Sequence, residues 1–427
     1  MSAQKFETLA LHAGQVKSES DPSRAVAVHR TAAYNFRDTT HAANLFALKE
    51  LGFIYTRIMN PTQEVLENRL AAIEGGAAAL ALASGTSAIF YAIINIATQG
   101  DEVVSSSHLY GGTFTMFNDI LPQFGITVKF VDPLDLSAIE KAINGKTRAV
   151  FLETIGNPAL SVPDFEAVAA VAHKHRVPLI VDATFTTPYI LRPIEHGVDI
   201  VVHSLTKWIG GHGTGIGGVV VDSGKFDWKD PKFKTLNEPD TSYHGIRFAH
   251  DLGDLNSIGY ILRMRVVPLR NLGSAISPDN AWIFLQGVET LALRMERHSE
   301  NAMKVAQHLQ KHAKVAWVRY PGLPDHPTHA NAKKYFKNGF GGMVVFGIKG
   351  GMKAGEKFIN SVKLFSHVAN VGDAKSLAIH PASTTHSQMG EEQQTAAGLQ
   401  PELVRLSIGI EHIDDILADL DQALNQA

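Results

Sequence analysis

Two short apolar runs rich in β-branched residues, Val177-Pro-Leu-Ile-Val-Asp182 and Val198-Asp-Ile-Val-Val-His203, constrain this chain more than any other feature. The segment between them carries Pro188 and Pro193 and is long enough for a crossover, so the two runs are expected to be neighbouring parallel strands. Apolar strand and helix patterns alternate around them: 88–97, 102–105, 128–131, 149–153, 165–173, 179–182, 200–203 and 217–221. Such alternation predicts an α/β fold, a mostly parallel sheet covered by helices.

At 427 residues the chain is long enough for two to three domains. Residues 1–60 lack a strong period and read as an N-terminal arm and oligomer contact, with 15–24 polar and exposed. Residues 61–268 hold the strand and helix alternation, beginning with a helix (Val65, Leu66, Leu70, Ile73) that stops at Gly75-Gly76. Within this part, 226–245 breaks the rhythm with Trp228, Pro231, Pro239 and many charges, and is expected at the rim. Residues 269–427 should form a smaller α+β domain, with a long helix over 281–310, strands at 342–348 and 404–408, and an amphipathic helix over 413–424.

Apolar residues are 45% of the chain and charged ones 19%, which suits a globular enzyme rather than a disordered scaffold. A net charge of −3 leaves no basic footprint for nucleic acid or an anionic membrane. Without cysteine there are no disulfides, thiolate metal sites or catalytic thiol. The first residues lack an apolar signal core, and no stretch approaches about 18 uninterrupted apolar residues. A cytoplasmic location is expected.

The chemistry sits just past the two runs. Ligands of open α/β sheets lie beyond the carboxyl ends of the strands, so Asp182 and Lys207 should face one crevice. That pairing suits pyridoxal phosphate (PLP): a buried carboxylate favours the protonated ring nitrogen, and a lysine holds the cofactor as a Schiff base, then moves protons. Ser204 and Thr206, two residues apart in an extended segment, would turn both hydroxyls toward a phosphate. Ser-Leu-Thr-Lys alone would be an ordinary strand end with a solvated lysine; the acid and the glycine-rich run beside it favour the cofactor.

Other motifs admit two readings. Ala83-Ser-Gly-Thr-Ser-Ala88 is either a common helix start or a phosphate site, where Gly85 lets the backbone approach an anion. Gly213, Gly215 and Gly218 match a dinucleotide fingerprint formally, but a strand follows where a helix should begin, so that reading is rejected. His308 with His312 and His326 with His329 lack the context of a metal motif and are expected at the surface; no metal is expected. Tyr55 and Arg57 would contact phosphate or form a surface pair. Tyr110 would stack on a flat cofactor or fill the core. Arg405, within an apolar strand, needs an anionic partner, a structural or a substrate carboxylate.

Several separated segments are together specific: Phe6-Glu-Thr-Leu-Ala-Leu-His-Ala-Gly14, Ala42-Ala-Asn-Leu-Phe-Ala-Leu, Tyr55-Thr-Arg-Ile-Met-Asn-Pro-Thr62, Ile155-Gly-Asn-Pro158, 203–218, and Asn370-Val-Gly-Asp with Ile379-His-Pro-Ala-Ser-Thr-Thr-His386. On these the whole chain resembles the PLP-dependent Cys/Met metabolism family, in particular its sulfhydrylase branch. The resemblance implies an aspartate aminotransferase-like fold (fold type I), with a mostly parallel seven-stranded sheet and a smaller C-terminal α+β domain. It implies Lys207 as the Schiff-base lysine, Asp182 at the pyridine nitrogen and Tyr110 over the ring. Gly85, Thr86, Ser204 and Thr206 would hold the phosphate, joined by Tyr55 and Arg57 from a neighbouring subunit. Asn157 and Thr184 would line the cofactor, while Arg405 and Asn370 would bind substrate.

Thr86, Ala183 and Leu205 depart from frequent Gln, Asn and Ala. Gly112 stands where the methionine-degrading lyases carry a cysteine, which argues against elimination. The implied reaction is γ-replacement, in which an amino-acid ester, O-acetyl-L-homoserine, reacts with sulfide or a small thiol. Lys207, Tyr110 and Tyr55 would move protons in a homotetramer that shares its sites between subunits. The alternatives are a γ-lyase or cystathionine γ-synthase-type reaction, or a non-catalytic PLP-fold protein.

Overall fold

A computed structural model describes residues 4–16, 22–384 and 400–427. Residues 17–21 of the polar stretch, and Thr385 and His386 of the C-terminal motif, lie outside them. Seven strands form the larger sheet: β1 (Ala78–Leu82), β2 (Glu102–Ser106), β3 (Thr127–Val131), β4 (Thr147–Glu153), β5 (Leu179–Asp182), β6 (Ile200–Ser204) and β7 (Gly218–Asp222), in the order β1-β7-β6-β5-β4-β2-β3. Strands β2 to β6 run parallel, and β7 is antiparallel to both neighbours. The expected crossover is present, with Asp182 opposite Val202.

Alternation of side chains sends Val150 and Leu152 of β4 to one face and Ala149 and Phe151 to the other, and both faces are buried. Leu66, Leu70 and Ile73 of the helix Pro61–Glu74 cover the first face, helped by Phe165 and Val168. Asn60 caps that helix by accepting from the Thr62 N–H at 2.9 Å, Pro61 supplies the preset first φ, and Gly75 ends it at φ +79°. Ile89 and Ile93 of the helix Gly85–Ile94 cover the second face.

Three expectations change on this face and beyond. The segment 226–245 is more than a rim excursion: Trp228, Phe233, Leu236 and Tyr243 are buried, and Trp228 stacks on Tyr260 at 4.8 Å. Its aromatic content outweighs its charges because the charges sit between the buried positions. The long helix over 281–310 is two, Pro278–Glu289 and Leu291–Lys311, meeting at Thr290. His326 is buried and packs with Thr328 rather than lying at the surface, while His308 hydrogen-bonds Asp421 at 2.6 Å. No cluster of metal-ligating side chains occurs among the described residues.

A second, five-stranded sheet follows: β8 (Val315–Arg319), β9 (Met343–Ile348), β10 (Ser366–His367), β11 (Leu377–Ile379) and β12 (Leu403–Ser407), in the order β10-β11-β12-β9-β8. The C-terminal helix Ile413–Gln426 packs Ile416, Leu420 and Leu424 against Val344, Phe346, Val404 and Leu406.

Asp222, at the end of β7, is fully buried; it accepts from the Gly224 N–H at 2.9 Å and leaves its second oxygen without a partner. Burial, with the nearby Asp199 carboxylate, pushes its pKa up to about 7. A carboxyl raised in the fold binds its proton there while the unfolded chain has lost it, so stability falls as pH rises from about 4 to 7. Asp222→Asn is therefore expected to raise the melting temperature at pH 8 and leave it nearly unchanged at pH 4, as differential scanning calorimetry at the two pH values would record.

Candidate active site

A cavity of about 230 Å³ opens where the strands of the larger sheet end and the second sheet approaches. Gly85 and Thr86 after β1, Tyr110 after β2, Glu153 on β4, Asp182 on β5, Ser204 at the end of β6 and Thr206 and Lys207 just beyond it all line it. Arg405 of β12 and Asn370 enter from the other side. The parallel register makes this convergence unavoidable, because every strand of β2 to β6 delivers its last residue to the same edge.

At one end of the cavity Ser84 caps the helix Gly85–Ile94, accepting from the Ser87 N–H at 3.0 Å. Ser84, Gly85 and Thr86 of this first turn line the cavity, and a helix start there offers free amides of the kind that bind an anion. The approach is close: a Cβ on Gly85 would stand 2.6 Å from Ser204 Cβ, and one on Gly218 would stand 2.1 Å from the Ser84 carbonyl oxygen. The glycines of 213–218 thus lead into β7 and make room for the capping loop, and no helix follows them. Strand β6 ends at Ser204, so Thr206 lies in a turn rather than in an extended segment; both residues still line the cavity. The Thr206 hydroxyl accepts from the Gly217 N–H at 3.1 Å, tying that turn to the start of β7.

Lys207 Nζ donates to Asn370 Oδ1 at 2.6 Å. Burial lowers the lysine pKa, and the neighbouring Arg405 lowers it further, so the neutral, nucleophilic amine is favoured. The turn behind it is held by Arg294, which donates to the carbonyls of Trp208 at 2.6 Å, Ile209 at 3.0 Å and Gly287 at 2.6 Å.

Asp182 Oδ1 accepts from the Thr184 N–H at 2.9 Å, and Thr184 Oγ1 accepts from the Ser204 N–H at 2.8 Å, so Thr184 locks β5 to β6. Burial pushes the Asp182 carboxyl up, while Thr184 and nearby His203 pull it back. Tyr110 is not a core aromatic: its ring is 53% exposed over the cavity, and a Cβ on Gly112 would lie 2.5 Å from Tyr110 Cε1. Gly112 therefore decides where that ring can sit.

Arg405 makes no side-chain hydrogen bond or ion pair among the described residues, and burial lowers its pKa to about 10. Of its two readings from sequence, a structural carboxylate within pairing distance is not found among the described residues, although Glu153 and Asp182 line the same cavity. Asn157 lines the cavity as expected. Tyr55 and Arg57 do not; they are exposed, with the guanidinium 5.2 Å from the tyrosine ring centre. Sequence reasoning missed Glu153, which is buried beside Asp182 and accepts from the Tyr110 N–H at 2.6 Å. The signal was available: like Asp182, Glu153 is an acid ending an apolar strand.

These groups fit a flat phosphorylated aldehyde. The capped helix start suits its phosphate, the depressed lysine its aldehyde carbon and the Asp182 carboxyl its ring nitrogen, leaving a guanidinium unpaired among the described residues for a carboxylate that arrives with substrate.

Comparisons with known proteins agree. The chain is 55% identical to the O-acetyl-L-homoserine sulfhydrylase of Leptospira meyeri, covering 98% of this chain and 96% of that protein. It is 53% identical to the homocysteine synthase of Schizosaccharomyces pombe over the full length of both. The fold matches a solved structure described as an O-acetylhomoserine (thiol)-lyase of Campylobacter jejuni, with a TM-score of 0.94 and 43% identity over 99% of this chain and 100% of that one. That structure carries a pyridoxyl-lysine phosphate. Residues 7–425 match the family model of the Cys/Met metabolism PLP-dependent enzymes, and the chain belongs to that family.

Proposed function

We propose that this protein catalyses γ-replacement: O-acetyl-L-homoserine and sulfide, or a small thiol, give L-homocysteine, or the corresponding thioether, and acetate. The observation that carries this reading is the unpaired Arg405 guanidinium in one cavity with the depressed Lys207 amine. The relatives named for this chemistry support it across the whole chain.

When bound, PLP supplies an electron sink for the charge left on carbons next to the substrate amine. The protein's own residues do the rest. Arg405 holds the substrate α-carboxylate and so directs the Cα–H bond toward Lys207, a positioning effect. Lys207 Nζ, as the neutral amine, would take the Cα proton of the bound substrate. Loss of a Cβ proton then allows the Cγ–O bond to break, and acetate leaves with the bonding electrons. Sulfide forms the Cγ–S bond, and protons return to Cβ and Cα. Asp182 would face the ring nitrogen, Tyr110 would cover the ring, and Gly85, Thr86, Ser204 and Thr206 would hold the phosphate. Asn157 and Thr184 would line the ring, and Asn370, which accepts from Lys207, would orient the incoming amino acid.

The exposed Tyr55 and Arg57 complete the site of a neighbouring subunit, within a homotetramer in which Tyr55 assists proton movement. No helix among the described residues is long and apolar enough to cross a membrane, and a cytoplasmic place suits the reading. Gly112 offers no thiol where the methionine-degrading lyases carry a cysteine beside the stacking tyrosine, which favours replacement over elimination.

Product analysis of the PLP-loaded protein with O-acetylhomoserine, with and without sulfide, tests the assignment. Sulfide-dependent homocysteine is expected, whereas 2-oxobutyrate formed irrespective of sulfide would make the protein a lyase. Lys207→Ala should abolish turnover and the visible absorbance of the lysine-bound cofactor. Arg405→Ala should cost about 3 kcal/mol in kcat/KM, roughly a hundredfold, by removing a charged hydrogen-bond donor to the substrate. PLP affinity should change little, which a parallel cofactor titration would check.

A further inference from the structure

The described residues place a second carboxyl group in the cavity. Glu153 and Asp182 are register partners on adjacent parallel strands. They continue the sheet face that carries Phe151, Ile180 and Val202, so their side chains project the same way from backbones about 4.8 Å apart. Both line the cavity. Glu153 is buried and Asp182 half-buried at the cavity wall, and two carboxyls this close and this shielded from water do not both ionise readily.

Their partners decide which one carries the charge. Asp182 is hydrogen-bonded by Thr184 and lies near His203. Among the described residues Glu153 has a single donor, the backbone N–H of Tyr110, at 2.6 Å. Lys207 and Arg405 line the same cavity, yet burial dominates at Glu153, and with the neighbouring Asp182 charge it raises the carboxyl well above the usual range.

We infer that Glu153 is a positioning residue that works as a neutral carboxylic acid: Oε1 seats the backbone of Tyr110 beneath its ring, and Oε2 keeps a proton so that Asp182 holds the only negative charge beside the cofactor's ring nitrogen. The inference rests on the PLP reading for its purpose but not for its test. A neutral Glu153 lets the two acids divide their tasks, since an ionised neighbour would raise the cost of charge on Asp182. It also couples two parts of the cofactor site through one side chain, joining the stacking ring after β2 to the counter-ion on β5.

The test begins with the infrared difference spectrum of full-length apoprotein, wild type minus Glu153→Gln, at pH 7. A protonated-carboxyl C=O band lost in the variant is expected; a carboxylate band lost instead would overturn the inference. Apoprotein of wild type, Glu153→Gln and Glu153→Ala is then titrated with PLP. The amide keeps an acceptor for the Tyr110 N–H without charge, so Glu153→Gln should bind within about threefold of wild type, and Glu153→Ala at least about tenfold more weakly. A glutamine variant as weak as the alanine variant would overturn the inference. If Glu153→Ala does not fold, the infrared band and the glutamine affinity still decide the matter. Wild-type protein that failed to bind PLP would count against the cofactor reading alone, because the infrared measurement needs no cofactor.

Discussion

Everything at the active site depends on the parallel register of β4, β5 and β6. Residues paired across those strands, Phe151 with Ile180 and Ile180 with Ile200, fill one buried face, and the next pair along, Glu153 with Asp182, falls at the strand ends where the backbone leaves the sheet. A parallel sheet concentrates the ends of several strands at one edge, so polar groups there are brought together by the same ladder that builds the apolar core. A slip of one residue would turn Asp182 to the opposite face and place Val181 at the edge.

The buried charges around the cavity are managed in three ways. Arg294 is buried but satisfied, its guanidinium spent on carbonyls behind the Lys207 turn. Arg405 is half-buried at the cavity wall and has no such partners among the described residues, which is costly unless an anion completes it. Lys207 sits near Arg405 and is pushed toward neutrality, the state in which an amine attacks a carbonyl carbon or accepts a proton. The structural cation is therefore enclosed with partners that the protein supplies, whereas the two at the cavity wall stay partly open to what binds there.

The closeness of the chain at the site explains several small residues. Gly85 and Gly218 let the capping loop, Ser204 and the start of β7 pass within contact distance, so the amides of the helix start and the hydroxyls after β6 border one cavity. Gly112 leaves the space that the Tyr110 ring occupies. Those positions shape the volume into which a cofactor and substrate must fit, although none carries a functional group.

Much of this was legible in the chain. The β-branched runs ending at Asp182 and His203 were enough to predict adjacent parallel strands, because apolar side chains on both faces leave only a doubly covered sheet, and the two runs then bring Asp182 and Lys207 to one edge. The periodicity of 413–424 was enough for the last helix, since its apolar stripe has one possible use. The break at Thr290, the burial of the 226–245 aromatics and the turn at Thr206 were not legible, because each depends on what packs against the segment rather than on its own pattern. The same limit hid Glu153. Its acid at a strand end is visible in sequence, but only the register beside Asp182 and the reach to the Tyr110 amide turn it into part of the site, since a carboxyl's charge state is set by burial and neighbours that arrive from distant parts of the chain.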